Sequence, residues 1–118
     1  MSSKIKGGLQ KYTIQEVQNA TLGQAGCVFV DTADAVVAPT GAVFVAITFL
    51  TNVTLDASAG LIAEDSDRWA NTEAAASAGG TGGKQLDAGN TFPKGTTIYG
   101  RWTEIDLNSV GTLIAYLG

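Results

Sequence analysis

Histidine is absent from all 118 residues. Its absence removes Ser-His-Asp and Cys-His catalysis, the commonest imidazole metal ligands and the side chain that moves protons near neutral pH. Cysteine occurs once, at Cys27, so no disulfide can form within the chain, and its neighbours Val28, Phe29 and Val30 predict a buried structural thiol. Positive charge is scarce: seven Lys and Arg stand against eleven Asp and Glu, giving a net charge of −4 and a pI near 4.5. Those seven cations are scattered, whereas a nucleic-acid surface needs Lys and Arg clustered to replace phosphate counterions, so no nucleic-acid partner is expected. No run of ~18 apolar residues occurs, which predicts no membrane-spanning helix. Residues 1–8 lack the apolar core of a signal peptide, and the mature chain is expected to begin there.

What is present reads as one β domain. Apolar residues make up 45% of the chain and charged residues 15%, enough for one packed core and too little charge for a disordered segment. Without disulfides, stability must come from packing or association. Loose alternation over residues 12–21, with Tyr12, Ile14 and Val17 as the inward set, predicts a first strand. Residues 27–31 and 33–37 supply further apolar stretches, and Pro39 and Gly41 a turn. The longest apolar run, residues 42–50, is too uniform to keep a polar face, which predicts a central strand covered on both sides. Residues 52–56 and 61–63 continue the extended pattern across a break at 57–60.

Residues 64–83 depart from that character. Five alanines between Asp67 and Ala78 allow a helical turn or two, and the glycines that follow strip the backbone of side chains, so the segment reads as a Gly/Ala-rich loop insertion. Beyond the turn chemistry of residues 90–95, period-2 geometry puts Ile98, Gly100 and Trp102 on one face and Thr97, Tyr99, Arg101 and Thr103 on the other. Short strands with Gly-rich turns predict an all-β, single-domain β-sandwich or small β-barrel spanning residues 9–118, preceded by an N-terminal arm at 1–8.

Most constellations that might carry chemistry have a plainer reading. Glu64, Asp65 and Asp67 place three carboxylates within four residues, which suits a hard cation, but the ligand alternation, central glycine and distal Glu of a calcium loop are missing and a solvated turn is favoured. Gly82-Gly83-Lys84 resembles the end of a phosphate loop, yet Ala78 stands at its first glycine and Gln85 at its magnesium-binding hydroxyl. Cys27 has no histidine to activate it. Glu104 and Asp106 share a strand face as a glycosidase dyad would, although solvated strand carboxylates are commoner. Trp69, Tyr99, Trp102 and Tyr116 offer a platform for a sugar, but such aromatics more often serve a core or an interface. No cofactor and no catalytic residue are expected.

The segment Phe92-Pro93-Lys94-Gly95-Thr96-Thr97-Ile98-Tyr99-Gly100-Arg101-Trp102-Thr103-Glu104-Ile105, with the closing run from Val110 to Gly118, resembles the ending of small virion proteins of tailed bacteriophages. That resemblance implies a capsid-associated, enzymatically silent protein, a head decoration or cement protein located in the virion and bound to the major capsid protein or another virion protein. Neck or tail structural proteins and a small carbohydrate-binding module remain as alternatives. Such proteins commonly close around a capsid symmetry axis, so a homotrimer is the expected assembly. Lys4, Ile5, Lys6 and Leu9 would form an arm that orders on a neighbour, and Trp102 and Tyr116 would serve as packing or interface anchors.

Overall fold

A computed structural model describes residues 14–15, 23–78 and 80–118. The expected arm, with Lys4, Ile5 and Lys6, and Leu9 beside it, lies outside the described residues. So does most of the strand expected at 12–21, of which Ile14 and Gln15 are described and are helical rather than extended.

The protein is nearly all β, as its patterning predicts, and its main sheet is nearly closed and barrel-like. Eight strands lie among the described residues: β1 (Cys27–Val30), β2 (Val36–Val37), β3 (Phe44–Phe49), β4 (Val53–Thr54), β5 (Leu61–Ala63), β6 (Thr91–Phe92), β7 (Thr97–Ile105) and β8 (Leu113–Leu117). The main sheet runs β1-β8-β3-β7-β2, with β5 also on β7, and every pair is antiparallel. Trp102 pairs with Phe44 of β3 and Ala63 of β5, and Ile105 with Val36 of β2 and Leu61 of β5. Hence β3 and β2 follow one another along one edge of β7, and β5 takes the other. β4 and β6 form a separate two-stranded ribbon, and Phe92 of β6 stacks on Phe49 of β3 with ring centroids 4.8 Å apart.

The long apolar run becomes β3, and it is central. Phe44, Ile47 and Phe49 enter the main core with Val30, Leu61, Trp102, Ile105, Leu113 and Ala115. Phe44 and Ile47 are three residues apart and could not share a face of a regular strand. A register shift between Phe44 and Ala46, seen against both neighbouring strands, inserts the residue that corrects the parity. The same bulge turns Val45 and Ala46 to the opposite face, where they form a small second cluster with Val43 and Tyr116. β3 is therefore buried on both sides, and each large side chain it buries contributes about 1.5–3 kcal/mol.

Among the described residues of 64–90 there is neither strand nor helix, and the alanines at 70–78 form no helical turn. Two buried polar residues organise this loop. Asn71, 0% exposed, donates through Nδ2 to the carbonyls of Ser66 (2.8 Å) and Trp69 (2.6 Å) and accepts at Oδ1 from the amides of Glu73 (2.7 Å) and Ala74 (2.8 Å). Thr72 docks on β5: its Oγ1 accepts from the Leu61 amide at 3.1 Å, and its own amide donates to the Leu61 carbonyl at 3.0 Å. The chain then returns alongside, with the Leu86 amide donating to Asn71 O at 2.9 Å. Four satisfied bonds on one amide side chain give the loop a fixed course without regular structure.

Candidate interaction surface

Cross-strand pairing sorts the sheet residues into faces. Val28, Ala115, Ile47 and Ile98 lie across four neighbouring strands and point into the core or pack against it. The flanking rows point outward: Cys27, Tyr116, Ala46 and Tyr99 form one, and Phe29, Ile114, Thr48 and Thr97 the other. None of these eight residues is Asp, Glu, Lys or Arg. Phe29 is 62% exposed and Tyr99 57%, Tyr116, Ile114, Thr48 and Thr97 are half-buried, and Ala46 is covered by its neighbours Val43, Val45 and Tyr116. Thr48 and Thr97 share a hydrogen bond between their hydroxyls at 2.8 Å, which satisfies the polar groups of the outer row against each other.

β1 borders this face. Among the described residues it pairs with β8 alone, so its second edge presents backbone donors and acceptors. Edge strands are usually guarded by a charge, a proline or a cover. Cys-Val-Phe-Val holds neither charge nor proline, Asp31 comes only after the strand ends, and among the described residues no strand covers this edge. A face without ionic side chains beside such an edge suits burial of apolar area and backbone pairing.

The expected site residues separate. Tyr116 lies on the outer face between Cys27 and Ala46. Trp102 does not: it is 1% exposed, its indole fills the core, and its Nε1 donates to Ala70 O at 2.8 Å, so it serves packing and has no surface to give a partner. The four-aromatic platform does not assemble either, because Trp69 packs against the core while Tyr99 and Tyr116 flank Ala46 outside. Cys27 is exposed, which corrects the expected buried thiol. Strand alternation sends Val28 and Val30 inward and leaves Cys27 and Phe29 outside.

The acidic cluster is divided among separate partners. Glu64 receives the Arg101 guanidinium, with Nε to Oε1 at 2.6 Å and Nη2 to Oε2 at 3.4 Å. Asp65 caps the Asp67 amide at 3.0 Å, and Asp67 accepts from the Ser77 hydroxyl. Among the described residues no group of three or more Cys, Asp and Glu is arranged to hold a metal ion. The glycines before Lys84 lead into irregular chain with no helix to aim amides at a phosphate. Glu104 lies in β7 between Val37 and Ile62, and Asp106 just past the strand. Burial, then the charges of Asp56 and Asp34, holds the Asp106 carboxyl above the ordinary aspartate range.

Compared with protein-family models, curated proteins and solved structures, the chain matches none.

Proposed function

We propose that this protein is a non-catalytic structural component that docks its outer sheet face on another protein, in the manner of a head decoration or cement protein of a tailed-phage virion. One observation carries the reading: the outer rows, without ionic side chains and with Phe29 and Tyr99 exposed, meet the edge of β1 that no strand covers among the described residues. The segment that resembles virion proteins supplies β7 and β8, two of the four strands that carry this face. On this reading the partner is the major capsid protein, the assembly is a homotrimer, and the protein resides in the virion. The lack of histidine supports a role without catalysis.

The test is a native mass measurement of the full chain, alone and with purified capsids, on the parent and on Phe29→Ser and Tyr99→Ser. Both side chains point outward, so these variants keep the core. Capsid binding by the parent and its loss in the variants is the expected result. Equal binding by all three would remove the outer face as the contact. No capsid binding together with tyrosine fluorescence responding to a glycan would favour the carbohydrate module, with Tyr99 and Tyr116 as its stacking pair.

A further inference from the structure

An open cleft of about 280 Å³ lies on the loop side of the molecule, lined by Arg68, Ala76, Gly80, Thr81 and Gly83. The Arg68 side chain is only 14% exposed. Its Nε and Nη1 are buried and have no hydrogen-bond partner among the described residues. The nearest countercharge, Asp65 Oδ2, stands 3.5 Å from Nε, beyond good hydrogen-bond range, and is itself 47% exposed. A guanidinium keeps its charge at every physiological pH, and burying it with donors unmet is costly. Elsewhere in the chain the same group is treated differently, since Arg101 is gripped by both oxygens of Glu64.

Two of the five lining residues, Gly80 and Gly83, have no side chain. A β-carbon on Gly83 would come within 2.8 Å of the Ala76 carbonyl oxygen, and Gly80 and Gly82 take φ of 147° and 94°, conformations that suit glycine. The loop thus approaches closely enough to form a small pocket, and Arg68 is the cation lining it. We propose that this cleft binds a carboxylate group, with the Arg68 guanidinium as its anchor. Planar carboxylates match the donor fork of arginine. A singly charged group is favoured over phosphate because Asp65 is close, so a second negative charge would meet more repulsion. The volume accommodates acetate or another short monocarboxylate and is too small for an extended chain.

Amide and arginine Nε–H NMR shifts of the full chain, titrated with sodium acetate against sodium chloride at matched ionic strength, test this. Acetate is expected to shift the Gly80, Thr81 and Gly83 amides and the Arg68 Nε–H saturably, while chloride leaves them in place. Arg68→Met should abolish the response with β7 and β8 amides unchanged, and Arg68→Lys should weaken it by removing the fork. Equal shifts with chloride, a response retained in Arg68→Met, or a response to phosphate as large as that to acetate would overturn the proposal. Should Arg68→Met fail to fold, the comparison of acetate with chloride on the parent decides alone.

Discussion

A β-carbon built on Gly100 would lie 2.7 Å from Cζ2 of Trp102, so the indole occupies the space that the missing side chain leaves. The two residues are neighbours on the inner face of β7, and both are buried. Gly100→Ala is therefore expected to push the largest core side chain off its position and to cost about 1–3 kcal/mol, as overpacking does. A urea-unfolding midpoint unchanged from the parent would show that the indole can move without loss.

Trp102 also ties the loop to the sheet through its bond to Ala70 O. Trp102→Phe keeps an aromatic ring but strands that carbonyl and leaves a void, with an expected loss of about 2–4 kcal/mol. Hydrogen exchange should quicken around Ala70 and Asn71 more than in β8, because the loop loses its anchor while the β8 ladder stays intact.

Asn71→Ala would orphan two amides and two carbonyls in a buried site, and a loss of about 3 kcal/mol or more is expected. Asn71→Asp replaces the donating Nδ2 with an oxygen that faces two carbonyls. Its charged form is disfavoured there, so this variant should be weaker relative to the parent at pH 7 than at pH 4. Thermal midpoints at the two pH values check the sign.

Asp56 and Asp106 give opposite pH signatures. Hydrogen bonds from the Ser58 amide, the Ala59 amide and the Ser58 hydroxyl lower the Asp56 pKa from its usual 3.8, so its contribution is present above 3.8 and is lost as pH falls through the lowered value. Asp106 is raised from 3.8 by burial and by its acidic neighbours. Its contribution is full below 3.8 and is lost as pH rises through the raised value. Asp106→Asn should accordingly be more stable than the parent at pH 7, with the advantage fading below pH 3.8. Asp56→Ala should lose stability at pH 7 and converge on the parent in acid.

Cys27 stands on the outer face at the open edge of β1. A maleimide should modify it in the folded protein nearly as fast as in urea, with far-UV circular dichroism unchanged. Protection in the folded state that vanishes on dilution would place the thiol in a contact between copies of the chain.

Much of the β architecture was legible in local pattern. The uniform apolar run at 42–50 marked the central strand, and the alternation of Ile98, Gly100 and Trp102 marked the inner face of β7. Other features were hidden for identifiable reasons. The alternation of a four-residue strand is too short to separate Cys27 and Phe29 from Val28 and Val30 once all four are apolar. Asn71 and Thr72 read as loop residues because their burial depends on carbonyls and amides contributed by Leu61, Ser66, Trp69, Glu73 and Ala74.

The sequence by itself determined the class of fold and the absence of imidazole chemistry, since side-chain periodicity and composition are properties of the chain alone. Only tertiary structure decided that Trp102 belongs to the core, that Cys27 and Tyr99 share an outer face, and that Arg68 lines a cleft with Nε and Nη1 unmet among the described residues. Each of those facts depends on what a residue distant in sequence places beside it. In β3 a single inserted residue at the bulge reverses which side chains face the core.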